Sequence, residues 1–305
     1  MEILKEDKYY APIALFVYNR PSHTQKTVEA LKANELAHES DLFIFSDGPK
    51  GKEDLPAVNK VRNYITKIDG FRSIHIRERS INYGLAKSII LGVTEIVNQF
   101  KRIIVLEDDL VTSPFFLRYM NDALNLYANE ERVICIHGYL YPIKIELPET
   151  FFIKGADCWG WGTWERGWDL FEVDGQKLLH KLKAKKLTRE FDFNNSFPYT
   201  RMLEDQIAGK NDSWAIRWYA SAFLAEKLTL YPGYSLVRNI GLDGSGTHHE
   251  NTNNFLVSEI QKPIEIKPIP IQESNSARRA FEDYFLSLQS KNLRCFLRKL
   301  MKRLL

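Results

Sequence analysis

Residues 103–109 read IIVLEDD, so that four branched apolar residues lead directly into Glu107, Asp108 and Asp109. The apolar run is typical of a β-strand. Three carboxylates at its end repel one another, and such an arrangement usually needs a cation. The pattern therefore predicts a strand that delivers three acids to one point, with a cation nearby.

Strand-like and helix-like segments alternate through the first half of the chain. Apolar runs cover 13–18, 41–48, 73–80 and the acid-tipped strand, and a helical stripe covers 84–100. This alternation predicts βαβ units and a mainly parallel sheet of the α/β class. Ligands bind outside the carboxyl ends of such strands. Three strand ends should therefore converge on one crevice: Asn19-Arg20, Ser46-Asp47-Gly48 and Glu107-Asp108-Asp109.

Composition restricts the class of protein. With 305 residues, 44% of them hydrophobic and 27% charged, the chain has the profile of a soluble globular protein of one large domain or two packed ones. A net charge of +3 argues against nucleic acid as the main partner. The three scattered cysteines, the absence of an apolar leader and the lack of a membrane-length apolar run predict a reducing, cytoplasmic location.

The second half concentrates aromatic and acidic residues. Four of the six tryptophans lie within 155–171, interleaved with glycine, and the other two follow Asp212. A core, a sugar-stacking platform and a hydrophobic lid remain alternative interpretations. Glu204, Asp205 and Asp212 stand in sequence beside these tryptophans, as a general base near a sugar would require. Solvated surface acids are the alternative.

Two segments suit a phosphate. Lys87 lies in the first turn of the helix that follows Asn82 and Gly84, although a plain helix start remains the leading interpretation of Lys87. The glycine-rich loop at 239–249 offers the backbone of Gly244 and Ser245 to a diphosphate, and His248 to a metal or phosphate. An ordinary flexible loop is the alternative there.

The C-terminal part differs from both halves. Residues 251–275 are polar and proline-bearing, which predicts a linker, and residues 276–305 predict a basic amphipathic helix. Within it, 290–305 combine six basic residues with an apolar stripe and carry no acid. Such a segment predicts peripheral contact with an anionic membrane. Packing of the stripe on protein, in this chain or in a partner subunit, is the alternative.

Together these segments resemble the nucleotide-diphospho-sugar glycosyltransferases of the GT-A fold. The similarity is to the N-acetylglucosaminyltransferase I-like group and to bacterial enzymes that build surface polysaccharides. It covers about residues 11–250, which implies one domain over 1–250 with a nucleotide-sugar half at 11–125 and an acceptor half at 126–250. It rests on these segments: FVYNRP, FSDGP, NYGLAKSI, VLEDDLVTSPFFLRYM, WGWGTWERGW, LEDQIAGKNDSWAIRW and SLVRNIGLDGSGTHH.

The resemblance implies a role for most of the candidate residues. Asp109 would ligate Mn²⁺ or Mg²⁺, with Glu107 and Asp108 on the ribose and sugar of the donor. Asp47 would face the uracil, and Asn19-Arg20 would lie at the nucleotide edge. Relatives carry two acids before a tryptophan, whereas this chain reads Asp212-Ser213-Trp214. Asp212 is the candidate base, and Glu204 and Asp205 stay in reserve.

The implied function is metal-dependent, inverting transfer of a hexosyl or N-acetylhexosaminyl group. The donor would be a UDP-sugar and the acceptor a glycan or lipid-linked oligosaccharide, on the inner face of the membrane, in surface polysaccharide synthesis. A non-catalytic carbohydrate-binding protein and a sugar nucleotidylyltransferase are the alternatives. The latter should have a glycine-rich basic loop after the first strand, where this chain reads YNRPSHTQ.

Overall fold

The computed structural model describes residues 10–244, 254, 255, 257 and 262–304, with side chains as far as Gln289. Its strands are β1 (Ile13–Val17), β2 (Asp41–Ser46), β3 (Ser73–Glu78), β4 (Arg102–Glu107), β5 (Leu110–Thr112), β6 (Val133–His137), β7 (Thr150–Lys154), β8 (Trp161–Trp164), β9 (Leu228–Pro232) and β10 (Val237–Asn239). Its helices are α1 (Pro21–Lys32), α2 (Leu55–Ile65), α3 (Leu85–Phe100), α4 (Phe116–Leu126), α5 (Glu165–Trp168), α6 (Gly175–Ala184), α7 (Thr188–Phe191), α8 (Tyr199–Ile207), α9 (Trp214–Leu224) and α10 (Asn275–Leu304).

A central sheet of eight strands organises the molecule. Its order is β3-β2-β1-β4-β8-β6-β9-β7, and β5 and β10 form a separate two-stranded sheet. Four of the seven neighbouring pairs in the large sheet are parallel, including all three among β3, β2, β1 and β4. The predicted α/β fold with a mainly parallel sheet is therefore confirmed.

The strand that carries the acids is apolar along its length because both of its faces are covered. Ile104 and Leu106 belong to the core on the side of α1, α2 and α4. Ile103 and Val105 point to the opposite core, which contains the inner stripe of α3. Successive side chains of a strand point to opposite faces, so a strand covered on both sides reads as a continuous hydrophobic run.

The register of the parallel strands aligns their carboxyl ends. Phe16 of β1 pairs with Phe45 of β2 on one side and with Glu107 of β4 on the other. The residues that follow these three positions therefore leave the sheet at the same edge. This alignment places the polar strand ends side by side.

The second half builds a third core around α6 to α10 and β7. Buried side chains of α10 extend from Ala277 to Leu288. Residues 262–274, within the predicted linker, lie against the domain, where Tyr234 donates to the carbonyl of Pro263 and Ser274 N–H to Phe152. Among the described residues, we find no helix with the length and hydropathy needed to cross a membrane.

Candidate active site

A cavity of about 330 Å³ opens at the carboxyl ends of β1, β2 and β4. Seven of the candidate site residues line it, namely Asn19, Arg20, Asp47, Glu107, Asp108, Asp109 and Asp212, and so do Asn82 and Gly84. Six follow or end strands of the sheet, and the seventh precedes α9. The structure thus brings the three polar strand ends together with one acid from the second half.

Arg20 is a cation that lies directly against the acid triplet. Its Nη2 donates to Asp108 Oδ1 and to Asp109 Oδ2, the latter at 2.9 Å. Burial opposes the positive charge, but the two carboxylates outweigh it and raise the pKa of Arg20 above its ordinary value. Part of the charge that the triplet requires is therefore supplied by the chain itself.

Two of the three acids have raised pKa values. Burial, reinforced by Asp109 and Asp108, raises the pKa of Glu107 to about 8. Burial also raises the pKa of Asp108 to about 6, although Arg20 opposes the shift. Burial and the neighbouring acids therefore favour the uncharged form of Glu107, which reduces the repulsion within the triplet.

Asp47 joins the end of β2 to the entrance of α3. Its Oδ1 accepts from the backbone N–H groups of Gly48 and Tyr83, and its Oδ2 from Gly84, all at 2.9 Å. The side chain is buried, and its oxygens serve these backbone donors. Asp47 therefore shapes the cavity wall, while its contact with a nucleotide base stays a prediction.

A glycine and a side-chain hydrogen bond determine the conformation of the loop that leads into α3. Gly84, at the N-cap, has a φ of 76°, which favours glycine. Asn82 Nδ2 donates to the carbonyl of Gly48 at 2.8 Å, which closes the loop onto β2. Lys87 is exposed, with its ammonium 4.5 Å from the centre of the Tyr83 ring, and it does not line the cavity.

Tyr18 and Asn19 both donate hydrogen bonds to the carboxylate of Asp54. The Tyr18 hydroxyl donates to Asp54 Oδ2 at 2.7 Å, and Asn19 Nδ2 donates to Asp54 Oδ1 at 3.1 Å. Burial and the hydrogen bond to Asp54 raise the pKa of Tyr18 to about 12. This pairing holds the first polar strand end in place beside the acids.

Asp212 lies in the loop that leads into α9. Its carboxylate is 68% exposed, with Oδ1 3.7 Å from Arg217 Nη2. Ser213 is the N-cap, and its hydroxyl accepts from the Ile216 N–H at 3.2 Å. Serine is a favoured N-cap residue, which explains why a serine rather than a second acid follows Asp212. Asp212 is left facing the cavity.

Glu204 and Asp205 lie on α8, outside the lining of the cavity. Glu204 accepts from Lys183 at 3.0 Å. Asp205 accepts from Lys210 at 3.1 Å and from Arg201 at 3.3 Å. Their placement is that of surface acids in ion pairs, which separates them from Asp212.

The chain after β10 forms the wall beside Asp109. Asn239 is buried in the cavity lining, and its Oδ1 accepts from the Gly241 N–H at 2.8 Å. The N–H of Ile240 donates to the Asp109 carbonyl at 2.8 Å. A Cβ at Gly241 would lie 2.1 Å from Asp109 Oδ2, so this close approach requires glycine.

The glycine-rich loop that continues from this wall is described only at its start. Gly244 is exposed. Ser245 and His248 lie outside the described residues, so their predicted contacts with diphosphate and metal stay predictions. Close by, His23 Nε2 lies 3.1 Å from Asp243 Oδ2.

Five of the six tryptophans are core residues. Trp161 is fully buried, with its ring centroid 5.5 Å from that of Trp214 and 5.8 Å from that of Trp218. Trp164 and Trp168 are buried as well. Trp159 is half-buried and lines the cavity. The core interpretation therefore holds for five rings, while Trp159 is the tryptophan that lines this cavity.

The donor set at the acid triplet fits a divalent cation with oxygen ligands. Asp109 lines the cavity, and Asp108 Oδ2 is buried without a hydrogen-bond partner among the described residues. Those residues hold no group of three or more His, Cys, Asp or Glu side chains arranged for a metal. Mg²⁺, however, commonly takes only one or two carboxylates and completes its shell with substrate phosphates and water.

Sequence reasoning missed several residues of the lining. These are Tyr18, Lys50, Ser88 and Asn239. Tyr18 ends the apolar run at 13–18 and Asn239 begins the loop at 239–249, so both lie in segments that the sequence indicates, although no pattern assigns either residue a role. Lys50 and Ser88 carry no local signal, because they lie in the loop after β2 and on α3, which only the tertiary fold brings to one cavity.

Comparison with known proteins gives weak matches. No family model matches the chain, and no curated protein matches it significantly. A mannosyltransferase of Pyrobaculum calidifontis, solved with GDP-Man and Mn²⁺, shares 10% identity at a TM-score of 0.31, over 44% of this chain and 37% of that one. TarS of S. aureus shares 13% identity at a TM-score of 0.32, over 48% and 24% respectively.

A UDP-glucose pyrophosphorylase solved with UDP-glucose shares 12% identity at a TM-score of 0.36, over 74% of this chain and 91% of that one. The chain spans less than half the length of the two transferases. Similarity this low does not establish a shared fold, and we rest no functional conclusion on it.

Proposed function

We propose that the chain is a glycosyltransferase that moves a sugar from a nucleotide diphosphate to a hydroxyl acceptor. One observation carries the proposal. A single cavity at the carboxyl ends of parallel strands contains an arginine, three acids and a separate exposed carboxylate, Asp212. Nucleotide ligands bind at this edge of α/β sheets, and sugar transfer requires a cationic diphosphate site beside a base.

The donor would occupy the first-half side of the cavity. Asn19 and Arg20 lie where the nucleotide enters, and the guanidinium is placed to pair with a phosphate oxygen. In its protonated form, which burial favours, Glu107 can donate a hydrogen bond to a sugar or ribose hydroxyl. Asp108 accepts from such hydroxyls. UDP is the nucleotide that the sequence resemblance suggests.

Asp109 would hold Mn²⁺ or Mg²⁺ together with the donor phosphates. When bound, the ion neutralises charge that develops on the departing diphosphate. Arg20 lies on the same carboxylate and is placed to share that task. Arg20 and the ion would thus both supply positive charge to the leaving group.

Asp212 would act as the general base. It accepts the proton of the acceptor hydroxyl as the hydroxyl oxygen forms a bond to the anomeric carbon of the donor. The bond from that carbon to the diphosphate oxygen breaks in the same step, so the anomeric configuration inverts. The exposure of Asp212 at the cavity lets an incoming hydroxyl reach it.

The test is a screen of nucleotide sugars for hydrolysis with Mn²⁺, combined with calorimetry of UDP binding with and without the ion. We expect hydrolysis of one donor and metal-dependent binding of its nucleotide. Carbohydrate binding without nucleotide binding would instead indicate a lectin. Release of pyrophosphate from a nucleoside triphosphate and a sugar phosphate would indicate a nucleotidylyltransferase.

The setting of the reaction is part of the proposal. The acceptor would be a glycan or a lipid-linked oligosaccharide of a surface polysaccharide. Residues 290–305, with six basic residues and no acid, would hold the enzyme at the cytoplasmic face of an anionic membrane. A lipid-linked acceptor and a membrane-bound enzyme would then meet on one surface.

A further inference from the structure

We propose that a second cavity, adjoining the first, binds the acceptor, and that the bound sugar carries a methyl group, as an N-acetylated or 6-deoxy sugar does. The inference rests on the proposed function, because it assigns the second substrate of the same reaction. It adds the chemistry of that substrate and a residue, Asp157, that recognises it.

The second cavity has a volume of about 510 Å³ and shares four lining residues with the first. They are Leu85, Glu107, Trp159 and Asp212. Volumes of roughly 300–1,000 Å³ are usual for small-molecule sites. A molecule in the second cavity would therefore lie beside the candidate base and next to a donor in the first.

The walls of the second cavity are largely aromatic and aliphatic. They include Ile153, Phe193, Phe197, Tyr199, Met202, Ile216 and Phe281. The rings pack against one another, with 4.5 Å between the centroids of Phe197 and Tyr199 and 5.0 Å between those of Tyr141 and Phe281. Such walls offer ring faces to the apolar C–H groups of a ligand.

Several polar side chains of the wall are engaged within the protein. Asn211 Nδ2 donates to the Met202 carbonyl at 3.3 Å, and its Oδ1 accepts from the Ser213 N–H at 3.0 Å. The Tyr219 hydroxyl donates to the Phe191 carbonyl at 2.9 Å. These bonds reduce the capacity of the wall to replace water around a ligand's hydroxyl groups.

One carboxylate in the wall of the second cavity, that of Asp157, accepts hydrogen bonds from two tyrosine hydroxyls. Its Oδ2 accepts from the Tyr231 hydroxyl at 2.9 Å and from Tyr141 at 3.2 Å, and its Oδ1 accepts from the Cys158 N–H at 2.8 Å. The side chain is 20% exposed. A carboxylate has about four acceptor positions, so these three donors leave room for one from a ligand. Asp157 is thus held in place at the wall with part of its carboxylate accessible to a hydroxyl or amide N–H of a ligand.

The chemistry of the acceptor follows from these contacts. A fully hydroxylated hexose in this cavity would lose several hydrogen bonds to water without replacement, and each buried loss costs free energy. A 6-deoxy sugar carries a methyl in place of a hydroxymethyl group, an N-acetylated sugar carries an acetamido group in place of a hydroxyl, and either can place its methyl against the rings. Both sugars keep a hydroxyl or amide N–H that can donate to Asp157. The geometry therefore favours methyl-bearing sugars over glucose or galactose.

The first experiment compares acceptors that share one aglycone. With the donor found in the hydrolysis screen, p-nitrophenyl N-acetylglucosaminide, fucoside, rhamnoside and glucoside are offered to the full-length protein. We expect at least one methyl-bearing glycoside to have a kcat/KM about tenfold or more above that of the glucoside. Equal or better use of the glucoside overturns the proposed specificity.

Substitutions then locate the site. Asp157→Asn should raise the acceptor KM at least about tenfold more than the donor KM. Ala215→Leu, which adds bulk where α9 lines the second cavity, should do the same without removing a polar group. The matched control is Ala225→Leu at the opposite end of α9, outside both linings, which should leave both KM values unchanged.

The outcomes separate the inference from the function on which it rests. If the wild-type protein hydrolyses no donor, the proposed function itself fails. If it uses a donor but Asp157→Asn and Ala215→Leu change donor and acceptor KM equally, the assignment of the second cavity is wrong. Saturation-transfer NMR with the preferred glycoside gives a readout independent of turnover, since its methyl protons should receive the strongest saturation. Saturation confined to the nitrophenyl protons overturns the assignment.

Discussion

At the scale of single residues, the chain itself supplies one cation to the acid triplet. Arg20 pairs with Asp108 and Asp109, and burial raises the pKa of Glu107, which favours its uncharged form. Arg20 thus offsets part of the repulsion between the acids, and further positive charge would come from a metal ion. Its proposed place is with the donor phosphates at Asp109.

The first residue-scale prediction concerns Asp109. Asp109→Ala should abolish Mn²⁺-dependent transfer and leave the protein folded, because Arg20 keeps its pairing with Asp108 and like-charge repulsion falls. The measurement is activity against Mn²⁺ concentration, with the urea unfolding midpoint as the check on folding. Asp205→Asn, a surface acid, is the control. Retention of more than about a tenth of wild-type activity, a loss under ~1.4 kcal/mol, would contradict the metal role.

The second residue-scale prediction concerns Asp212. Asp212→Asn should lower kcat by roughly 10²–10⁴, the usual contribution of a general base, with a much smaller change in donor affinity. Glu204→Gln and Asp205→Asn are matched controls, because both acids lie outside the cavity in ion pairs. An active Asp212→Asn beside an inactive Glu204→Gln would transfer the role of base to α8.

At the scale of elements, Asp47 couples β2 to α3. Asp47→Asn replaces one of the carboxylate oxygens that accept from the part-buried N–H groups of Tyr83 and Gly84, and should lower the free energy of unfolding by about 1–3 kcal/mol. Donor affinity should fall as well, because the loop forms the cavity wall. Urea unfolding measures the first effect and calorimetry the second. In Asp69→Asn, which loses only a surface pair with Lys32, stability should change little. An unchanged unfolding midpoint for Asp47→Asn would show that the coupling is weak.

Asp41, at the start of β2, makes a contact whose contribution to the free energy of unfolding depends on pH. Hydrogen bonds from Arg72, at 2.8 Å from its Nε, and from Ser73, at 2.6 Å, hold the pKa of Asp41 below its ordinary 3.8 despite burial. A depressed carboxyl pKa stabilises the fold above the ordinary pKa, and the contribution is lost as pH falls through the folded value. Asp41→Asn should therefore be less stable than wild type at about pH 7, and the difference should shrink below about pH 4. Urea unfolding across this range measures it, and a difference that does not depend on pH would exclude the linkage.

At the scale of the whole molecule, the first part of α10 packs in the core, and its second part is predicted to contact a membrane. Its buried side chains, from Ala277 to Leu288, belong to the third core. The basic residues predicted to contact a membrane follow Ser290, beyond the described side chains. A truncation between the two parts can therefore separate folding from membrane attachment.

Truncation after Ser290 should release the protein from anionic liposomes and preserve donor hydrolysis. Each basic residue near such a surface contributes about 1 kcal/mol, so removing six should abolish detectable binding. Sedimentation with liposomes containing phosphatidylserine measures attachment, and neutral liposomes are the control. Unfolding or loss of an oligomer in the truncated protein would show that the segment packs on protein instead.

The sequence by itself determined the elements and the polar strand ends. The apolar runs at β1, β2 and β4 predict strands because burial on both faces removes polar residues from them, and this signal is local. The spacing of strands and helices then predicts the parallel sheet. Its geometry brings Asn19, Asp47 and Asp109 to one edge without further information.

Only the tertiary structure decided which residues of the second half join that edge. Asp212, Glu204 and Asp205 look alike in sequence, yet the entry into α9 places the first in the cavity, while α8 carries the others outside. In the same way, Trp159 is half-buried and lines both cavities, while the other five tryptophans are buried in cores and only Trp214 among them reaches the second cavity. The reason is physical: periodicity records which face of an element is buried, but the neighbour across that face is chosen by long-range packing.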